Sequence, residues 1–299
     1  MNFTFSSNFN KNVIGEVFTP FLGNVTNFSD LNFQKKLVDQ FRYNLPEIYS
    51  FSQEVKKTLL VKPNFAIIKG LQFNSLPTEV RDLFILAFNA SMGYATPTDQ
   101  VNKKVLWPVK AELNPTVKNL TFSQRLGEAE YHTDTQYFAE PEEFFSLWCI
   151  VPDKNGEGLN GLVSADYIIS EIKTRPDGEE ILNTLKNTKF PFRVPSVFTA
   201  DGTDTDIEYF LGSILSENPK IRYRKETIDK GVLASGIKLS PTQVKAINAI
   251  EEILQNPKEV VTNLLEKDEV IFVNNHELLH NRTDYHDPER FLIRVRIKN

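Results

Sequence analysis

The sequence predicts an α+β fold in which helices pack outside an antiparallel barrel or jelly roll, and three observations carry that expectation. Helical periodicity dominates roughly the first 92 residues. Short runs rich in β-branched and aromatic residues dominate from Lys103 onward. The clearest strands, 270–273 and 291–297, come last, and helices followed by many short strands fit a barrel with an outer helical layer.

Taken in order, residues 33–60 place Leu37, Phe41, Leu45 and Ile48 at helical spacing. Residues 65–70 form a short apolar run ended by Gly70, as expected of a buried strand. Helix returns over 77–92, where Val80, Leu83, Phe84 and Phe88 make one stripe. The β-rich runs are 105–109, 144–151, 161–165, 207–215 and 221–224. A helix interrupts them at Ser240-Pro241-Thr242-Gln243, which combines a serine N-cap, proline in the first turn and glutamine at N3. It carries Val244, Ile247, Ile250 and Ile253 on one face. No internal repeat or low-complexity linker divides the chain, so a single domain over 1–299 is expected: a helical part, 1–60, packed on a core, 61–299, with inserted helices and a lid.

Composition narrows the function. Of 299 residues, 34 are Lys or Arg and 39 Asp or Glu, a net charge of −5 without any long basic block, which argues against nucleic acid as the partner. A 40 % hydrophobic share excludes wholesale disorder. The single cysteine, Cys149, lies in an apolar run and reads as a small buried hydrophobe in a reducing compartment. No basic, apolar leader opens the chain, and no window approaches 18 uncharged apolar residues. The expectation is a cytoplasmic protein with a small-molecule partner and no membrane contact; the oligomeric state stays open.

The four histidines, His132, His276, His280 and His286, concentrate the chemistry. In an extended segment His132 and Asp134 point the same way and can offer a nitrogen and an oxygen to one metal, although about 0.5 such pairs arise by chance in this composition. His276-Glu277-Leu278-Leu279-His280 matches the H-E-x-x-H zinc-peptidase pattern literally. That pattern needs a helix, yet residues 270–273 read as strand and 281–284 as a turn. Strand alternation over 290–297 puts Arg290, Leu292, Arg294 and Arg296 on one face and Phe291, Ile293, Val295 and Ile297 on the other. Arginines turned into a barrel need anionic partners, which a ligand carboxylate supplies.

Together His132-Thr133-Asp134, Leu279-His280-Asn281-Arg282-Thr283 and Arg290-x-x-x-Arg294 resemble the three signature blocks of Fe(II)/2-oxoglutarate dioxygenases. The likeness is to the taurine dioxygenase and clavaminate synthase superfamily, nearest in pattern to its free amino-acid hydroxylases. It implies a double-stranded β-helix with flanking helices and a facial triad of His132, Asp134 and His280 on Fe(II). The cosubstrates would be 2-oxoglutarate and O2, and the products succinate, CO2 and a hydroxylated small polar substrate. By the same resemblance Arg290 binds the distal carboxylate of 2-oxoglutarate, and Arg294 faces the prime substrate or supports the cosubstrate. Asp134 itself favours hydroxylation, since related halogenases have Gly or Ala there.

One departure concerns the Gly-Gly-x-Thr turn whose threonine binds the cosubstrate in many relatives. Here the segment is Gly158-Leu159-Asn160-Gly161-Leu162-Val163-Ser164, with Gly161 at the matching position, so Asn160 or Ser164 substitutes or the hydroxyl is missing. For the substrate, Glu128, Glu130 and Asp201, the last in a lid-like loop over 199–206, suit an amino group or a basic side chain such as lysine or arginine. His276 and His286 have no ligand role by the resemblance. The competing expectations are a zinc metallopeptidase using His276, Glu277 and His280, and a non-catalytic β-barrel binding protein.

Overall fold

A computed structural model of the chain describes residues 1–6, 9–24, 28–99, 102–113, 121–196 and 208–299. Its first part runs β1 (Asn2–Thr4), α1 (Lys11–Phe18), α2 (Leu31–Asn44), α3 (Pro46–Leu59), β2 (Phe65–Lys69), α4 (Thr78–Ala90), β3 (Tyr94–Thr96) and β4 (Trp107–Val109). There follow β5 (Ala129–His132), β6 (Phe144–Val151), β7 (Asn160–Ser164), α5 (Ala165–Lys173), α6 (Gly178–Asn187), β8 (Phe190–Arg193) and β9 (Tyr209–Gly212). The last part comprises α7 (Lys225–Ser235), α8 (Pro241–Gln255), β10 (Val261–Asn263), β11 (Val270–Asn274), β12 (Leu278–Arg282) and β13 (Phe291–Lys298). The fold is thus a mixture of helices and mainly antiparallel sheets.

A seven-stranded sheet has the order β1-β2-β11-β6-β13-β3, with β4 also paired to β13; a four-stranded sheet has the order β10-β7-β12-β5. Side-chain alternation turns these sheets into layers. On β13, Ile293, Val295 and Ile297 join Phe84, Phe88 and Trp148 beneath the N-terminal helices. Leu292 lies on the opposite face, in a cluster shared by both sheets with Phe145, Cys149, Leu162 and Leu278. On the far side, Val163 of β7 and Leu279 of β12 pack under α5, α6 and α8. The order is therefore helices, sheet, shared interior, sheet, helices, and polar side chains on the two inner faces are driven together. Trp148 is fully buried and meets Phe73, Phe88 and Phe272 at ring-centroid distances of 5.0, 5.5 and 5.9 Å. Each such ring contributes about 1.5–3 kcal/mol of burial to the outer cluster.

The single helix expected over 33–60 is two. Pro46 disfavours helical geometry at Leu45, which takes φ −128° and ψ 54°, and the proline then opens α3 in its first turn. The capping box at Ser240 forms as expected, with Ser240 Oγ accepting the Gln243 N–H and Gln243 accepting the Ser240 N–H. Helices α5, α6 and α7 were not anticipated. The residues expected as turn from 281 are strand as far as Arg282. Cys149 is buried and unpaired with a disulfide partner, and burial pushes its thiol up to about 12, so it is an inert apolar filler. Among the described residues no helix is long and apolar enough to cross a membrane.

Candidate metal centre and its cavity

Antiparallel pairing of β12 with β5 sets His280 directly opposite His132. Beyond His132 the chain turns, and the Asp134 carboxylate comes back toward both rings: its Oδ1 is 3.8 Å from His132 Nε2 and 4.0 Å from His280 Nε2. The three donor atoms lie within 4.8 Å of one another, the one such group among the described residues. At these distances neither Nε2 is hydrogen-bonded to the carboxylate. His132 Nδ1 lies 2.7 Å from the Glu130 carbonyl oxygen, so Nδ1–H donates there and Nε2 keeps its lone pair for the interior. The His280 ring packs against Phe145, with centroids 4.4 Å apart and the planes tilted by 43°. Burial holds His132 well below its ordinary pKa, helped by His280 and Arg224, and lowers His280 to about 4. Both imidazoles are neutral, as metal ligands must be.

Asp134 is held at backbone and side chain. Asn275 Oδ1 accepts its N–H at 2.7 Å, while Asn275 Nδ2 donates to its carbonyl at 3.1 Å. Its Oδ2 pairs with Arg296 Nε at 3.0 Å and Arg294 Nη1 at 3.1 Å, both from β13. Burial alone would raise the carboxyl pKa, but Arg294 and Arg296 outweigh it and hold Asp134 well below the usual range. Thr133, between the ligands, donates its N–H to the Tyr223 carbonyl at 2.8 Å and accepts the Tyr223 N–H on Oγ1 at 3.1 Å. Two neutral nitrogens and one ionised oxygen converging from one side form the facial-triad donor set suited to Fe(II). The residues fit the metal.

The triad lines a cavity of about 230 Å³ between the two sheets. Arg290, just before β13, and Arg294 line it as well. Gly158, at φ +71°, backs onto Arg290, and a Cβ there would lie 3.1 Å from Arg290 Nε. Ser164 does not reach the cavity: its hydroxyl caps α5 by accepting the Tyr167 N–H at 3.1 Å. Asn160 lines the cavity instead, whereas a Cβ on Gly161 would meet Asn281 Oδ1 and the Tyr131 hydroxyl. Glu128 and Glu130 are exposed and lie outside the lining, and Asp201 falls outside the described residues.

The remaining histidines sit elsewhere. His276 precedes β12, with Nδ1 2.7 Å from Asn218 Oδ1 and Nε2 3.0 Å from the Pro141 carbonyl oxygen. His286 is exposed beside Glu157, 3.1 Å away. Sequence reasoning missed Asn275, whose carboxamide gives no signal until the turn after His132 is seen. It also assigned no role to Arg296, although alternation had placed that residue on the face of Arg290 and Arg294.

Comparison with known proteins identifies the class. Residues 29–296 match the family described as Taurine catabolism dioxygenase TauD, TfdA family, and the chain belongs to it. It is therefore an iron- and 2-oxoglutarate-dependent dioxygenase. Among solved structures it is similar to asparagine oxygenase in complex with Fe(II), 2S,3S-3-hydroxyasparagine and succinate: 12 % identity, TM-score 0.75, covering 99 % of this chain and 93 % of that one. It is also similar to the non-heme iron oxygenase OrfP in complex with Fe, succinate and (3R,4R)-dihydroxy-L-Arg: 13 % identity, TM-score 0.73, covering 100 % and 94 %. Likeness at that identity establishes a shared fold. No curated protein sequence matches this chain significantly.

Proposed function

We propose that this enzyme hydroxylates an unactivated C–H bond of a free L-amino acid, releasing succinate and CO2, and that its two sheets form a double-stranded β-helix. The observation that carries the proposal is the convergence of His132 Nε2, Asp134 Oδ1 and His280 Nε2 inside an arginine-lined cavity. The three ligands would hold Fe(II) on one side and leave the other open to the cosubstrates. Iron, when bound, supplies the activation of dioxygen. Arg290 receives the distal carboxylate of 2-oxoglutarate, with Asn160 lining the same cavity. Arg294 is poised to exchange its contact with Asp134 for the α-carboxylate of the amino acid. The acids among the described lining residues are Asp134 and Glu226, so Glu226 takes the place of Glu128 and Glu130 as partner for a substrate amine. A single buried thiol supports a cytoplasmic setting.

Anaerobic Fe(II) and 2-oxoglutarate should give a visible charge-transfer band, and one or more free amino acids should then drive succinate formation in air. Neither band nor succinate with any amino acid would sink the reading. The zinc-peptidase alternative meets a geometric obstacle: His280 lies on a strand, His276 turns away from it, and Glu277 pairs with Lys220 at 2.7 Å. Glu277→Gln should leave succinate formation within about twofold, whereas a peptidase would lose its general base.

A further inference from the structure

Arg282 and Arg290 differ from the other buried arginines of the cavity. Arg294 and Arg296 pair with Asp134, and Arg224 with Glu226 at 3.4 Å. Arg282 and Arg290 have no ion-pair partner among the described residues, although only 8 % and 3 % of their surface is exposed. Each also has a buried donor with nothing to bond, Nε of Arg282 and Nη1 of Arg290. A desolvated guanidinium without an anion is costly, so two of them on one wall mark a place that an anion completes.

A single ring holds them there. The Tyr285 ring has the Arg282 guanidinium 4.5 Å and the Arg290 guanidinium 5.0 Å from its centroid, and its hydroxyl donates to the Arg125 carbonyl at 3.1 Å. Arg282 Nη2 is used structurally, donating to the Gly127 carbonyl at 2.9 Å and to that of Arg125 at 3.3 Å. Those bonds fix the side chain and leave Nε unspent. Both arginines line the cavity that holds the triad.

We propose that Arg282 is a second cosubstrate-binding arginine: together with Arg290 it forms a two-cation site for the distal carboxylate of 2-oxoglutarate, with Tyr285 as the positioning residue that spaces the two guanidinium groups. This rests on the dioxygenase reading above and extends it to a residue that the Arg290-x-x-x-Arg294 block does not contain. The site explains why a chain with net charge −5 concentrates unpaired positive charge here. It selects for a 2-oxo acid bearing a second carboxylate, because a monocarboxylate would leave both guanidinium groups desolvated and unsatisfied.

The test measures binding without turnover, on protein loaded with Co(II) under nitrogen, using 2-oxoglutarate and pyruvate as probes. Pyruvate offers the same oxo-acid end without the distal carboxylate. Arg282→Gln should weaken 2-oxoglutarate about 10- to 100-fold while changing pyruvate and Co(II) affinity less than about threefold. Arg282→Lys should recover part of the loss. Tyr285→Leu keeps both charges and the Arg282 backbone contacts, and should weaken 2-oxoglutarate about tenfold with the same indifference to pyruvate; it carries the test if Arg282→Gln fails to fold. Equal losses for both probes, or no loss for either, in the folded variants would overturn the role of Arg282 and Tyr285. Failure of the wild type to bind 2-oxoglutarate at all would instead overturn the dioxygenase reading.

Discussion

Acidifying the metal-free protein should destabilise it through His280 and His132, the two proposed ligand histidines, and the size of the effect follows from burial. His280 has an ordinary pKa of 6.5 and a folded value of about 4, lowered first by desolvation. A base whose folded pKa is depressed stays neutral in the native state while the unfolded chain takes up a proton, so the unfolded state binds more protons below pH 6.5 and stability rises with pH through that window. Stability is fully present above about pH 7, and loss accumulates as pH falls from about 6.5 toward 4. Between pH 7 and pH 5 the linkage relation gives about 2 kcal/mol from His280 alone. His132, lowered in the same direction by burial, adds to it. The assay is urea unfolding of EDTA-treated protein at pH 7 and pH 5, beside His280→Gln, which keeps much of the volume and cannot titrate. The wild type should lose about 2 kcal/mol more than the variant over that interval. Equal losses would show that the ring is protonated in the fold and that the neutral-ligand argument fails.

Three further outcomes test other parts of the structure. Arg290→Met should raise the KM for 2-oxoglutarate at least about 100-fold while leaving Co(II) affinity within about threefold, since the proposed role of the residue is to bind the anion and not the ion; a parallel loss of metal would place it elsewhere. Asn275→Ala removes both bonds that fix the Asp134 backbone and should cost about tenfold in Co(II) affinity with the far-ultraviolet spectrum unchanged. Gly231→Ala forces a Cβ to 2.2 Å from the Pro191 carbonyl oxygen, so α7 must lift from β8. Overpacking of this kind costs about 1–3 kcal/mol, and calorimetry showing an unchanged melting temperature would refute the close approach.

What was legible in the sequence depended on whether a signal was local. The face assignment over 290–297 needed only alternation, and the structure divides those residues as alternation requires: Ile293, Val295 and Ile297 toward the helices, Leu292, Arg294 and Arg296 toward the interior. The Ser240 cap was likewise complete in four residues. Helices α5 to α7 lay among segments read for β character, and α6 was overlooked although Ile181, Leu182 and Leu185 mark its buried face. The substrate-facing acids failed for a different reason. Glu128 and Glu130 share the parity of His132, but β5 is irregular: His280 faces His132 while Arg282 faces Ala129, so the alternation breaks, Ala129 lines the cavity and Glu130 is left exposed.

The same distinction governs the metal site. Each donor type was visible in its own segment, but the facing of His132 by His280 depends on strand pairing across nearly half the chain. That pairing also explains why the literal H-E-x-x-H spacing does not bring its two histidines to one site. On a helix, His276 and His280 would share a face. On this chain His276 lies in the turn before β12, so its ring bonds Asn218 and Pro141 while His280 turns inward to meet a histidine from another strand. A four-residue spacing specifies a site only together with the backbone that carries it, and the β-branched run preceding His276 had already opposed a helix. The geometry of the proposed metal site is thus a property of the sheet: β5 and β12 supply the two imidazole nitrogens, and β13 supplies the arginines that keep the Asp134 carboxylate ionised.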